Sequence, residues 1–156
     1  MRILVLNGPN LNLLGRREPG VYGTATLAEI ERRTRERTHH LDVEQQWVQL
    51  NAEGALVEQL HAAVGVFAGV VFNPGGYTHT SVALRDAIVG TGLAVVEIHL
   101  SNVQAREPFR RRSVLAGVCV GQVSGFGADS YRLGIEALVD WLRRQGPRPM
   151  PGTELA

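Results

Sequence analysis

An α/β fold, with helices covering both faces of a parallel sheet, is predicted by three features of the sequence. Short apolar runs alternate with longer segments of helical periodicity along nearly the whole chain. That order produces parallel strands joined by helical crossovers. Most of the runs are continuous in Val, Ile and Leu rather than interleaved with polar residues, as strands buried on both faces require. Hydrogen-bonding side chains gather just beyond several of the runs, where open α/β sheets bind their ligands.

The first run, RILVL (2–6), leads into the polar turn NGPNLNLLG and then into RREPGVYG (16–23), a loop punctuated by Gly15, Gly20 and Gly23. TLAEIERRTRERTHHL (26–41) places Leu27, Ile30 and Leu41 near one helical face, with charges on the other. VEQQWVQL (43–50) is the most polar run and reads as an edge strand. EGALVEQLHAAVG (53–65) repeats apolar residues at Leu56, Leu60 and Val64. GVVFN (69–73) is followed by NPGGYTHTS, where Thr78 or Thr80 is placed to cap the next helix, SVALRDAIVG (81–90). AVVEIHL (94–100) and VCVGQVS (118–124) supply the fourth and fifth strands. SYRLGIEALVDWLRRQ (130–145) carries the stripe Tyr131, Ile135, Leu138 and Leu142, and ends in Arg143 and Arg144, which suit a helix C-terminus. Residues 1–145 are expected to form a single domain, and the proline-rich tail 146–156 is expected to be disordered.

Composition narrows the chemistry. The chain has 156 residues, 44% apolar and 20% charged, with a net charge of +1. That balance argues against a dedicated nucleic-acid binder, and the run RRR (110–112) reads by itself as a solvated or interface face. All 16 basic residues are arginine. A lysine Schiff base and a lysine-bearing phosphate loop are therefore excluded. The single cysteine, Cys119, sits in an apolar run and is expected to be buried and inert. One cysteine allows no disulfide within the chain, which fits a reducing cytoplasm. The N-terminal apolar run is too short for a signal peptide core, and no stretch approaches the roughly 20 apolar residues of a membrane span.

The candidate site lies at the strand ends. Asn7, Asn10 and Asn12 follow the first strand; Asn73, Gly75, Gly76 and His79 follow the third; Glu97, His99, Ser101 and Asn102 end the fourth. Glu97 and His99 are two apart on a strand and so share a face. A carboxylate there favours the protonated imidazole and fixes its tautomer, which would make His99 a general acid. A purely structural pair is the alternative. In RREPGVYG, a guanidinium beside Tyr22 would favour its phenolate, a base for a proton next to a carbonyl, under a loop able to close and exclude water. A surface loop with an incidental tyrosine is the alternative. SGFGADS (124–130) lacks the third glycine of a dinucleotide fingerprint and has no later strand, so a turn is expected there.

Taken together, NGPNLNLLGRREPGVYG, FNPGGYTHTSVALRDA and EIHLSNVQAREPFRRRS resemble the type II 3-dehydroquinate dehydratases, in the order of that family and over nearly the whole chain to about residue 145. The resemblance implies a flavodoxin-like three-layer sandwich with a five-stranded parallel sheet of order 2-1-3-4-5. It implies a dodecamer, a tetramer of trimers, that dehydrates 3-dehydroquinate to 3-dehydroshikimate through an enolate, with no metal or cofactor; composition adds the expectation of a cytoplasmic protein with no nucleic-acid or membrane partner. Tyr22 would be the base at C2 and Arg17 would hold it as tyrosinate. Asn10 would position a water on the enolate oxygen. His99, oriented by Glu97, would protonate the departing hydroxyl. Asn73 and the backbone amides of Leu100 and Ser101 would hold the substrate carboxylate. His79 and Arg110 would bind ring hydroxyls, and Asp86 would reach in from a neighbouring subunit. Two other readings of a flavodoxin-like chain differ in class. A flavin or nucleotide binding module would carry no chemistry of its own. A phospho-receiver needs an acidic cluster after strand 1 and a lysine after strand 5, and this chain has neither.

Overall fold

Five parallel strands form one sheet in the computed structural model, which describes residues 1–16 and 18–146. Arg17, expected beside Tyr22, and residues 147–156 of the expected tail lie outside the described residues. The strands are β1 (Arg2–Asn7), β2 (Glu44–Gln49), β3 (Gly69–Asn73), β4 (Ala94–His99) and β5 (Gly121–Ser124). Their order in the sheet is β2-β1-β3-β4-β5, as the resemblance implied, with the polar β2 at one edge.

The helices are α1 (Pro19–Tyr22), α2 (Leu27–Thr38), α3 (Glu53–Ala63), α4 (Val82–Thr91) and α5 (Asp129–Gln145). The pleat sends alternate side chains to opposite faces, and this divides the core in two. Ile3, Val5, Val71, Val96 and Ile98 pack with Ile30 of α2 and with Tyr131, Ile135 and Leu138 of α5. Leu4, Leu6, Val70, Phe72 and Val95 pack with Leu56 and Leu60 of α3 and with Leu84 and Ile88 of α4. Continuous apolar strands therefore have a simple cause: each has two buried faces.

The helix ends follow local chemistry. Thr26 accepts from the Glu29 N–H at 3.2 Å while Glu29 accepts from the Thr26 N–H at 2.8 Å, a reciprocal cap that starts α2. The predicted helix to residue 41 stops as α-helix at Thr38 and tightens to a 3-10 turn over His39–Leu41. α3 ends at Ala63, leaving Val64, expected in its apolar stripe, 41% exposed. Neither threonine caps α4. Gly75–His79 forms a 3-10 turn, and the buried Ser81 takes the cap, accepting from the Leu84 N–H at 3.0 Å. The fifth strand begins three residues late, because Ala116–Val118 forms a 3-10 turn. Cys119 falls in that connection and is only half-buried, though burial still pushes its thiol up to about 12.

Candidate active site

The strand order reverses direction between β1 and β3, so the connections leaving their C-terminal ends run to opposite faces of the sheet and open a crevice. Register puts Asn7 opposite Asn73 at that point. Gly8 then runs against the β3 exit loop, its N–H donating to the Asn73 carbonyl at 2.8 Å. A Cβ on Gly8 would lie 2.6 Å from the Pro74 carbonyl oxygen, so only glycine allows this approach. The two exits together build one wall of a cleft of about 250 Å³.

Asn10, Tyr22, Asn73, His79, His99, Leu100, Ser101, Arg106 and Arg110 all line this cleft. Eight of these nine were singled out from the sequence, and they meet in one place from the loop after β1, the α1 turn, β3 and the turn after it, β4 and the loop after β4. Glu97 lies one layer below, fully buried. Asp86 stands exposed on α4 and does not line the cleft of its own chain. Asn10 takes a left-handed conformation (φ 67°), which Asn tolerates better than most residues, and its N–H donates to Asn51 Oδ1 at 3.0 Å.

Glu97 and His99 share the sheet face that also carries Val95, and they are in contact: His99 Nε2 lies 2.6 Å from Glu97 Oε1. The remaining carboxylate positions are also occupied by donors. Thr78 Oγ1 donates to Oε1, and Ser113 Oγ approaches Oε2 at 2.9 Å. Ser113 Oγ accepts from the N–H groups of Leu115 and Ala116, which directs its own proton to Glu97. Burial pushes the Glu97 carboxyl up, but the bonds from His99, Thr78 and Ser113 and the nearby imidazole charge outweigh it and hold the group below its ordinary value. Glu97 is therefore a carboxylate, an acceptor only. His99 Nε2 must carry a proton, and Nδ1 is the ring nitrogen that remains for chemistry.

Across the cleft, Tyr22 hangs from α1, a single helical turn between the left-handed Glu18 and Gly23. Arg106 Nη1 donates to the Tyr22 oxygen at 2.7 Å, and its guanidinium carbon lies 5.3 Å from the ring centroid. Arg106 also reaches Ser101 Oγ at 3.4 Å. Arg110 is held by Glu107 at 2.9 Å, and His79 Nδ1 lies 2.8 Å from the Arg112 carbonyl, edge-on to Phe109. Part of the arginine run thus faces the cleft through Arg110, rather than solvent alone.

Arg106 and Ser113 were missed in the sequence. Both lie within the third motif, but nothing in their spacing separates a guanidinium aimed at a phenol from its arginine neighbours. Thr78 was noticed for the wrong bond. Only the fold, which brings it beside β4, shows its hydroxyl turned to Glu97.

Such a cleft sets a phenol with a cation against an imidazole with a carboxylate, and known proteins match most of the chain that builds it. The family profile described as dehydroquinase class II matches residues 1–139. A protein named 3-dehydroquinate dehydratase from Gloeobacter violaceus is 60% identical over 145 residues, covering 93% of this chain and 91% of the relative. One of the same name from Desulforudis audaxviator is 56% identical, covering 92% and 96%. The crystal structure of the type II dehydroquinase from Butyrivibrio crossotus superposes with a TM-score of 0.85 at 41% identity, over 88% of this chain and 97% of the other. Motifs, strand order and relatives agree: the chain belongs to the class II dehydroquinase family.

Proposed function

We propose that this chain converts 3-dehydroquinate to 3-dehydroshikimate by anti elimination of water, a step of aromatic amino acid biosynthesis. The observation that carries this reading is the pairing on one cleft: Tyr22 with a guanidinium on its oxygen, and His99 with a carboxylate on its ring. Loss of water β to a ketone needs a base, a stabiliser for the enolate and an acid for the leaving hydroxyl. The substrate's own carbonyl receives the electrons, so the step asks for no redox partner.

Tyr22, as phenolate, takes the proton from C2. The electron pair moves into the C3 carbonyl to give the enolate. Arg106, whose guanidinium bonds the Tyr22 oxygen, and Arg17, five residues before Tyr22 in the sequence, are the cations assigned to that oxygen. A water held by Asn10 donates to the enolate oxygen. The enolate then collapses: the C1–oxygen bond breaks, its pair leaves with the hydroxyl, and His99 delivers the proton that makes the leaving group water. Glu97 orients the ring and balances its charge. Asn73 and the backbone amides of Leu100 and Ser101 receive the carboxylate. His79 and Arg110 receive ring hydroxyls, and Asp86 serves the cleft of a neighbouring copy. We further propose that the enzyme works in the cytoplasm as a dodecamer of four trimers. No helix among the described residues is long and apolar enough to cross a membrane.

The reading is tested by adding 3-dehydroquinate and following ultraviolet absorbance. A conjugated enone should accumulate with turnover. Saturable binding without any rise in absorbance would contradict the reading.

A further inference from the structure

Tyr131, at the start of α5, is the largest side chain with no exposed surface, and no step of the elimination uses it. Its ring packs on Trp47 of β2 with centroids 5.0 Å apart. Its hydroxyl lies between two asparagines that end neighbouring strands: Asn7 Oδ1 at 2.6 Å and Asn73 Nδ2 at 3.1 Å.

The direction of every bond in this chain is fixed, from both ends independently. At one end the Val48 carbonyl can only accept, so the Asn7 amide nitrogen faces it at 3.3 Å and Asn7 Oδ1 faces Tyr131. The Tyr131 proton must then go to Asn7, leaving its oxygen to accept from Asn73 Nδ2. At the other end the Gly75 N–H can only donate, and it points at Asn73 Oδ1 from 3.3 Å. Both ends demand the same orientation of the Asn73 amide. One lone pair of its oxygen takes the Gly75 N–H and one amide hydrogen goes to Tyr131, so the second amide hydrogen is the donor Asn73 can offer the cleft it lines.

We infer that Tyr131 is a positioning residue for substrate binding: its hydroxyl locks the orientation of the Asn73 amide so that a free N–H donor, suited to a carboxylate, is available to the cleft. This rests on the reading of Asn73 as a carboxylate anchor. The lock holds across the working pH range, because burial pushes the Tyr131 phenol well up and keeps it protonated.

The test uses Tyr131→Phe, which removes one oxygen from a packed site, beside Asn73→Ala and the double variant, assayed with 3-dehydroquinate. Loss of one orienting hydrogen bond should raise KM about five- to tenfold in Tyr131→Phe. The loss should fall on KM more than on kcat and be the same at every pH. The double variant should be no worse in KM than Asn73→Ala, because there is then no amide left to orient. A raised KM in Asn73→Ala beside an unchanged one in Tyr131→Phe overturns the inference alone, as does a double variant whose penalties add. An unchanged KM in Asn73→Ala overturns the anchor reading and the inference with it. Should Tyr131→Phe not fold, a ligand complex of the unaltered chain decides. The inference requires the carboxylate within hydrogen-bond distance of Asn73 Nδ2 while Tyr131 stays in place, and a carboxylate elsewhere overturns it.

Discussion

Glu97 makes His99 usable, because three donors hold its carboxylate against the strand and its charge in turn selects the imidazole tautomer. The folded carboxyl sits below its ordinary value of 4.5. The contribution of these bonds is therefore fully present above that value and is lost as pH falls through the lowered folded value. Thermal melts across roughly pH 3 to 7 should show the chain weakening below about 4.5, and Glu97→Gln should be less stable at neutral pH but flatter in acid. Equal slopes for the two would contradict the assignment. On the other wall, Tyr22→Phe should cut kcat roughly 10³-fold or more with an unchanged melting temperature, as loss of a catalytic base does. Arg106→Gln removes the cation on the same oxygen, so kcat should fall roughly tenfold or more, as for a lost bond to a charged group. An unchanged kcat with only a raised KM would make Arg106 a binding group. These roles differ in how well the sequence displays them. Glu97 and His99 are legible because ionisable groups two apart in an apolar strand need a reason. Arg106 and Ser113 are not, because their meaning lies in where a long loop returns.

At the scale of elements, the β1 and β3 exits act as one piece. Gly8 closes on Pro74, with Asn10 in the β1 exit loop and Asn73 at the end of β3. Gly8→Ala would force the exits apart, since the added carbon meets backbone rather than a mobile side chain. Overpacking of this kind costs about 1–3 kcal/mol. Activity should fall further than stability, because both asparagines move, and wild-type kinetics in a destabilised Gly8→Ala would separate the loops from the site. Elements were the most legible level. Four helices and five strands follow from period and apolar runs, and the largest shifts, three residues each, are the early end of α2 and the late start of β5, where the apolar run VLAGVCV makes a 3-10 turn first. Apolar runs report burial, and a turn packed against the core is buried as well. The cap of α4 moved for a related reason: a threonine drawn to Glu97 is no longer available to cap a helix, and Ser81 is.

At the scale of the molecule, alternation of strand and helix establishes a parallel sheet, while the order β2-β1-β3-β4-β5 came through the family motifs rather than the residues alone. Local pattern says which segments are strands and leaves the choice of neighbours to long-range packing. Asp86 stands exposed on α4, as do Val82 and Val89, and it is absent from its own chain's cleft. If copies assemble as proposed, sedimentation should give the mass of a dodecamer. Asp86→Ala should then lower activity, by roughly tenfold for a lost polar contact to substrate, without loosening the monomer. A fully active monomer would contradict the shared site.

The division of labour between the two walls is tested most directly by proton exchange. Incubating 3-dehydroquinate in deuterated water with each variant and following C2 by NMR separates proton removal from loss of the hydroxyl. His99→Ala should exchange the C2 proton while forming little enone, and Tyr22→Phe should do neither. Exchange that survives in Tyr22→Phe and vanishes in His99→Ala would contradict the account and reverse the two roles.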